Sequence, residues 1–435
     1  MATVLKRSWL SYKEQIRELS DRLVKAQKPI RILDAINWDD SVQRTVIDGR
    51  FRKMPKIDAG YYLEKKPLPF NASDKLAEFE SIKKDVETGI GASDELGSIL
   101  TRNCNEYQGV VRMLEARGTP EFHRWSKELY GSPKDDFLDQ HTTVRELGQT
   151  LYGILGNIDD RELGVRYDKD LSAEDVVAQL NERFEAYFHD HQVHVVLSDG
   201  IVADAAAGSD YVKIRKGGRF SVRDRDILEV HEGWVHVGTT LSGSHQRVAT
   251  WLGKGPPSCT TIQEGLAVLM EIVTFNMTPH RARKVNNRIL ACDKAEDGAD
   301  FMDVCEFYRT EGYNEAECYQ HARRIFRGGV LKGGSPFTKD VVYAKGFILV
   351  YNFLRTAIRF GRPDLIPYLF VGKVTLEDVP ILARKAKAQV IDPPLYLPPQ
   401  FRDLNGLACW MAYSNFLNRV DLGKVQGYYE SILKL

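Results

Sequence analysis

Two histidines that lie five residues apart constrain this chain more than any other feature of its sequence. His231 is followed directly by Glu232, and His236 ends the segment. Residues four apart share one face of an α-helix, whereas five residues sweep roughly 500° and leave two side chains about 140° apart. A wider turn that closes from residue i to residue i+5 brings such side chains back together. The spacing therefore predicts a local π-type bulge at residues 233–235.

The residue types in this segment indicate a catalytic metal site. Two imidazoles on one helix, with a carboxylate between them, bind zinc in sites of the HExxH kind. With three protein ligands zinc keeps a fourth position for water, and the pKa of that water falls toward about 7. Glu232 would take the proton from the water and pass it to the leaving amine. The set favours hydrolysis of a peptide bond, although a lone HExxxH pattern also arises by chance in unrelated helices.

Glu264 is the candidate for the third ligand. It lies 28 residues after His236, within an amphipathic stretch at residues 260–275. This stretch predicts a second helix, which would deliver the carboxylate to the two histidines. The same carboxylate also fits a capping box with Thr261, in which it would only accept a backbone N–H. The sequence leaves both roles open.

The residues before the histidines predict short strands and then the start of the histidine helix. Segments 193–198 and 211–216 have the composition of strands, and Ser221 has the position of an N-cap. A sheet followed by a metal-binding helix is the order found in zincin peptidases, where an edge strand binds the peptide substrate by β-addition. We expect residues 211–216 to be that edge strand.

Composition sets the broad class. The chain has 435 residues, of which 43% are hydrophobic and 28% charged, and its 60 basic residues balance its 60 acidic ones. No net charge favours nucleic acid or an anionic membrane as a partner. We find no signal-peptide pattern and no run of about 18 apolar residues, so we expect a cytoplasmic protein without a membrane span. The scattered cysteines predict reduced, buried thiols.

The periodicity of apolar residues predicts an α+β fold that is mostly helical. We expect a helical N-terminal platform at residues 1–190, followed at 191–435 by a zincin-like catalytic region with a helical C-terminal part. This region would contain a short antiparallel or mixed sheet, the HExxxH helix and the helix with Glu264. Residues 30–36 are predicted as a further strand, and a final helix is predicted to end at residue 417.

Three short motifs carry a resemblance to a known family. They are His231-Glu232-Gly233-Trp234-Val235-His236, Gly238-Thr239 and Gln263-Glu264-Gly265-Leu266-Ala267. These residues resemble the QEGLA-motif proteins, which include flavohaemoglobin expression-modulating proteins of bacteria and the animal microtubule-associated tyrosine carboxypeptidases. The likeness runs from about residue 193 to residue 360. It implies one zinc ion per chain, held by His231, His236 and Glu264, with Glu232 as catalytic base.

The resemblance also implies an activity. The animal enzymes of this family remove a C-terminal tyrosine from tubulin, so the likeness implies a zinc carboxypeptidase that releases a tyrosine-like residue from a peptide or protein. Gln263 and Glu271, on the predicted second helix, are expected to support the ligands from behind.

A carboxypeptidase must bind the carboxylate that ends its substrate, and the C-terminal half of the chain offers cations for this task. The candidates are Arg324, Arg327, Lys339, Tyr343 and Lys345. Arg327 is the first choice because a planar guanidinium binds a carboxylate through paired hydrogen bonds. Tyr343 would donate to the same carboxylate or to the oxyanion. The alternative is that these cations only pair with acids on the surface.

Three other interpretations remain open from the sequence. One is an endopeptidase with the same chemistry. Another is a regulatory protein that affects flavohaemoglobin expression without hydrolysis, although such a protein has no need of a general base. The third concerns a second metal site, for which His189, Asp190, His191 and His194 supply candidate ligands.

Overall fold

The computed structural model of the chain describes residues 2–189, 191–199, 201, 203–417 and 419–433, and for residues 2–10 only the backbone. The fold is mostly helical with small sheets, which confirms the predicted α+β class. The N-terminal helices are α1 Ala2–Gln27, α2 Ile32–Ala35, α3 Asp40–Asp48, α4 Ala59–Lys65, α5 Ala72–Gly89, α6 Glu95–Glu115, α7 Pro120–Tyr130, α8 Val144–Gly156 and α9 Ala173–Tyr187. The strands are β1 Leu171–Ser172, β2 His194–Ser198, β3 Ala205–Ala207, β4 Tyr211–Arg215 and β5 Arg219–Phe220.

The chain then becomes helical again. The later helices are α10 Val222–Leu228, a π-helix at Glu229–Val237, α11 Gly238–Ser244, α12 Pro257–Val273, α13 Pro279–Glu296, α14 Phe301–Thr310, α15 Glu315–Phe326, α16 Val342–Arg359, α17 Asp378–Lys387, α18 Pro399–Arg402, α19 Asn405–Leu417 and α20 Leu422–Leu433. Short 3₁₀ turns lie at Asp160–Glu162, Thr250–Gly253, Thr338–Val341 and Pro363–Phe370. The predicted helix that ends at Leu417 is therefore α19, and α20 follows it.

The edge strand was assigned wrongly from the sequence. Residues 211–216 form β4, which is the central strand of a mixed sheet with the order β2-β4-β3. Strand β2 pairs with β4 in parallel, and β3 pairs with it antiparallel. Both sides of β4 are therefore occupied, and the free edge next to the π-helix belongs to β3. The sheet packs on α9 through a small core that includes Phe184, Val195 and Ile214.

Residues 30–36 do not form the predicted strand. They contain the short helix α2 instead, because none of the strands that the structure describes pairs with them to complete a ladder. Ile30 and Ile36 are buried, and the guanidinium of Arg117 donates to the carbonyl oxygen of Ala35 at 2.7 Å. The apolar residues that suggested a strand thus serve the core of the helical part.

The main hydrophobic core combines side chains from α1 and α6 with side chains from α12 and α16. The N-terminal helices therefore pack against the helices that carry the predicted metal ligands. The boundary at residue 190 between two regions stays a prediction. All six cysteines are unpaired, and all except Cys409 are buried.

One described helix, Thr338–Arg359, is long and apolar enough to span a membrane by length and composition. This corrects the expectation that no segment would meet that test. In the fold, the helix consists of a 3₁₀ turn followed by α16, and it lies along α12. Val350 and Leu354 of α16 are fully buried in the main core. One face of this helix is therefore part of the main core.

Two glycines let α12 and α16 cross with their backbones in contact. A Cβ atom on Gly265 would lie 2.1 Å from the carbonyl carbon of Gly346, and a Cβ atom on Gly346 would lie 2.0 Å from the carbonyl oxygen of Thr261. Contacts this short are impossible, so only glycine fits at either position. This crossing sets the distance between Glu264 on α12 and the residues at the start of α16.

We expect Gly265→Ala to destabilise the protein by about 1 to 3 kcal/mol, because the added methyl group meets backbone that cannot move aside without separating the helices. The matched control is Gly153→Ala in α8, where a Cβ atom meets nothing within 4 Å. That change should be neutral or stabilising by up to about 1 kcal/mol, since alanine favours a helix interior. Chemical denaturation of both variants measures the difference. Equal stability of the two would contradict a backbone contact at Gly265.

Candidate metal centre

The two histidines meet because the helix that carries them is widened over its whole middle part. The π-helix Glu229–Val237 contains both residues, and it continues directly from α10, which begins after the N-cap Ser221 as predicted. The imidazole centroids of His231 and His236 are 4.9 Å apart, with the rings nearly perpendicular at 86°. The i to i+5 widening is therefore confirmed, and it is longer than the bulge predicted at residues 233–235.

Glu264 lies in the interior of α12, which begins at Pro257 with Pro256 as its N-cap residue. The capping-box alternative with Thr261 is therefore wrong, because Thr261 is itself inside the helix. One carboxylate oxygen of Glu264, Oε2, lies 3.5 Å from Nε2 of His231 and 3.5 Å from Nε2 of His236. One ligand atom from each residue lies within 4.8 Å of the others, which is close enough to hold one metal ion.

The residues present fit a metal ion of intermediate softness. Oε2 of Glu264 is buried and accepts no well-formed hydrogen bond from the described residues. A buried anionic oxygen without a donor is costly, and a cation between it and the two imidazoles removes that cost. Burial raises the pKa of Glu264, but Lys339 and the imidazoles hold it well below its usual range, so the oxygen is ionised. Two nitrogen ligands and one oxygen ligand are typical of catalytic zinc.

His231 is oriented by a buried carboxylate, Glu271. The Nδ1 atom of His231 donates to Oε1 of Glu271 at 2.7 Å, which directs Nε2 toward Glu264 and His236. Burial raises the pKa of Glu271, but Arg281 and His231 lower it to about 2. Arg281 donates to both oxygens of Glu271, at 2.8 and 3.0 Å. Glu271 thus contacts the candidate ligand His231, and its role in metal binding stays a prediction. Nothing in the sequence pattern distinguished Arg281 from the other cations of α13.

His236 is oriented by the amide of Gln263. The side-chain oxygen of Gln263 lies 3.4 Å from Nδ1 of His236, and it accepts hydrogen bonds from Thr239 at 2.9 Å and from Lys373 at 2.8 Å. Lys373 also donates to the carbonyl oxygen of His236 at 2.9 Å. Burial lowers the pKa of Lys373 to about 7. Lys373 was missed from the sequence, where the available signal was a lone lysine in the apolar segment 369–374.

Glu232 lies in the wall of a cavity of about 860 Å³ that also contains the three candidate ligands. Its Oε2 atom accepts the backbone N–H of Ala207 in β3 at 3.0 Å. This bond fixes one carboxylate oxygen against the edge strand. The cavity continues along β3 on one side and reaches Leu33 and Asn37 of the N-terminal part on the other.

The predicted substrate-binding cations have different surroundings. Arg324, Arg327, Lys339 and Tyr343 line the cavity, but Lys345 does not. Lys345 donates to Asp135 at 3.0 Å, so the structure places it outside the predicted carboxylate pocket. Tyr343 and Lys345 are two residues apart on α16, so they face different sides of the helix, and only the packing of the helix decides which of the two faces the cavity.

Three of the cavity cations differ in their partners. Arg324 forms a bidentate pair with the buried Asp340, at 2.6 and 2.9 Å. Lys339 donates to Oε1 of Glu264 at 3.3 Å. Arg327 is 4% exposed, and its guanidinium makes no hydrogen bond to any described residue. Burial and the charge of Arg324 lower the pKa of Arg327 to about 10, so it is a cation at neutral pH.

The second metal site considered from the sequence is not assembled by the described residues. His194 lies on β2 with its side chain exposed, whereas His191 contacts His245, with 2.8 Å between their Nε2 atoms. Asp190 lies outside the described residues. Among the residues that the structure describes, the group of His231, His236 and Glu264 is the one that can hold a metal ion.

Comparison with known proteins identifies a family. A family model described as "Microtubule-associated tyrosine carboxypeptidase" matches residues 46–419. None of the curated proteins matches the chain. The matched region includes the sheet, the π-helix, α12 and α16, together with most of both helical parts, so it is longer than the resemblance at residues 193–360.

We expect Glu271→Gln to weaken metal binding about 10- to 100-fold, because groups that orient a metal-bound histidine have effects of this size. The amide keeps the shape of the side chain but loses the charge that holds Nδ1–H of His231. Competition with a chromogenic chelator measures the affinity. The control is Glu296→Gln. It replaces a buried carboxylate at the C-terminal end of α13, away from the candidate ligands, and should leave the affinity unchanged. Equal affinities in both variants would contradict the role of Glu271.

Proposed function

The chain belongs to the microtubule-associated tyrosine carboxypeptidase family, and on that premise we propose that it is a zinc-dependent carboxypeptidase. Its substrate would be the C-terminus of a peptide or protein, with an aromatic residue such as tyrosine preferred. One observation carries the proposal: the three candidate ligands share a single cavity with a buried cation, Arg327, that has no hydrogen-bond or carboxylate partner among the described residues. The aromatic preference rests on the family alone.

Zinc is the metal that the donor set supports best. Two imidazole nitrogens and one carboxylate oxygen suit zinc, whereas magnesium and calcium prefer sites made of oxygen atoms. Zinc bound by His231, His236 and Glu264 would polarise the scissile carbonyl and lower the pKa of a bound water. The remaining position for that water would face the cavity and Glu232.

Glu232 is suited to the role of general base. Its Oε2 atom is held by the N–H of Ala207, so Oε1 remains available to accept a proton from the attacking water and to deliver it to the leaving amine. The hydrogen bond from β3 also prevents the carboxylate from rotating away. A base held in this way contributes because proton transfer requires a fixed distance and direction.

Arg327 is suited to bind the terminal carboxylate. The alternative that the cations only pair with neighbouring acids applies to Arg324 and Lys345, but not to Arg327. A buried guanidinium without an anion is costly, and a substrate carboxylate would remove the cost through two charge-assisted hydrogen bonds. This cost is a reason to expect an anionic ligand in the cavity.

Strand β3 offers a place for the substrate backbone. In an antiparallel pair, alternate residues direct their N–H and C=O groups away from the partner strand. Ala207 does so, since its N–H reaches Glu232 and not β4. A peptide that lies beside β3 would pair with the remaining outward groups by β-addition. Strand β3 would therefore bind the substrate backbone, a role that was predicted from the sequence for residues 211–216.

Glu232→Gln should keep bound zinc and lose hydrolysis by on the order of 10⁴-fold or more, because the amide retains the shape and has no basicity. Zinc content and single-turnover rates measure the two properties separately. The control is Glu229→Gln, a similar change in the same π-helix at a residue that pairs with Arg183 and does not line the cavity. Wild-type turnover in Glu232→Gln would reject the base.

A second prediction concerns the carboxylate. The enzyme should cleave a peptide that ends in free tyrosine and discriminate against its C-terminal amide by about 10- to 100-fold in kcat/KM. Arg327→Met should abolish this preference. The same variant should unfold at an equal or higher temperature, since it removes an unpaired buried charge. A purely structural role of Arg327 predicts the opposite, a loss of stability with the preference intact.

The matched control is Arg323→Met. Arg323 is also buried, but it donates to Asn37 and to the carbonyl oxygen of Trp38 and does not line the cavity. This variant should lose stability and keep the preference for the free acid. Equal cleavage of acid and amide by the wild type would instead favour an endopeptidase, with β3 as the main substrate contact.

A further inference from the structure

The two oxygens of the Glu264 carboxylate have separate surroundings. Oε2 lies 3.5 Å from Nε2 of each histidine, whereas Oε1 accepts a hydrogen bond from the ammonium of Lys339 at 3.3 Å. Lys339 is largely buried, with 12% of its side chain exposed. The carboxylate therefore has one oxygen directed at the candidate metal site and one oxygen directed at a cation.

We propose that Lys339 is a positioning residue that limits Glu264 to a single coordinating oxygen. The inference rests on the proposed function, because it requires a metal ion at His231, His236 and Glu264. It differs from the role expected from the sequence, in which Lys339 binds the substrate carboxylate. That role then belongs to Arg327, which has no carboxylate partner among the described residues.

The reason is the number of positions around the metal. A carboxylate without other partners can bind through one oxygen or through both. Coordination through both oxygens would occupy the position that a catalytic site must leave for water. The ammonium of Lys339 competes for Oε1 and makes that second bond unfavourable.

The charge of Lys339 acts in the same direction. Glu264 contributes one negative charge to the site, and Lys339 contributes one positive charge beside it. The pair leaves the site with no net charge from these two side chains. A bound cation would then be less neutralised by its surroundings, which favours ionisation of its water.

The turn that carries Lys339 is anchored on both sides. Before it, the N–H of Thr338 donates to the hydroxyl oxygen of Ser126 at 2.9 Å. After it, Asp340 accepts two hydrogen bonds from Arg324. The 3₁₀ turn Thr338–Val341 is thus fixed in place, and the ammonium lies 5.5 Å from the ring centroid of Tyr343. These contacts position Lys339 beside Glu264.

The test uses Lys339→Met, which removes the ammonium and keeps the length, and Lys339→Arg, which keeps the charge. Cobalt(II) replaces zinc as a spectroscopic probe, because the intensity of its visible bands depends on coordination number. We expect Lys339→Met to lower this intensity by about twofold or more, as a five-coordinate site would. Lys339→Arg should retain most of the wild-type intensity. The control Lys332→Met changes an exposed lysine and should leave the spectrum unchanged.

Kinetics separates positioning from substrate binding. In Lys339→Met, kcat should fall while KM and the preference for free acid over amide remain, since Arg327 still binds the carboxylate. A wild-type spectrum in both Lys339 variants, with KM raised for the free acid alone, would overturn the inference and make Lys339 a substrate ligand. Failure of the proposed function has a different signature: cobalt would then bind no better to the wild type than to His231→Ala.

Discussion

The site depends on one buried carboxylate oxygen that faces two imidazoles. Oε2 of Glu264 lies at equal distances from His231 and His236 and has no good donor among the described residues. Such an arrangement is unfavourable without a cation, and the fold maintains it because α12 and the π-helix pack closely. Each ligand is held by its own partner: Glu271 behind His231, Gln263 behind His236, and Lys339 beside Glu264. These contacts would orient the three side chains toward a metal ion.

Several of the buried charges around this centre are organised in pairs. Glu271 is paired with Arg281, and Asp340 with Arg324, so each buried ion has a partner that offsets its desolvation. Arg327 has no such partner in the described structure, although it lies in the same cavity as the ligands. This guanidinium is the group that we propose for binding the carboxylate at the end of the substrate. The proposal links the electrostatics of the cavity to the activity of the family.

Steric constraints set the geometry of the same region. Gly265 and Gly346 allow α12 and α16 to touch, and Gly233 faces Phe184, where a Cβ atom would lie 2.4 Å from the ring. The motifs around Glu232 and Glu264 thus contain two kinds of residue. The polar ones line the cavity of the candidate metal site, and the glycines let neighbouring elements approach closely.

Local patterns in the sequence determined which residues form the candidate centre. The five-residue spacing of His231 and His236 predicted the i to i+5 widening, and the N-cap Ser221 predicted the start of that helix, because turns and caps depend on neighbouring residues. Only the tertiary structure decided which strand forms the edge, that residues 30–36 are helical, that Lys345 lies outside the cavity, and that Arg281 and Lys373 support the ligands. These outcomes depend on contacts between residues distant in the chain, such as the bond between Lys373 and Gln263, and no local periodicity encodes them.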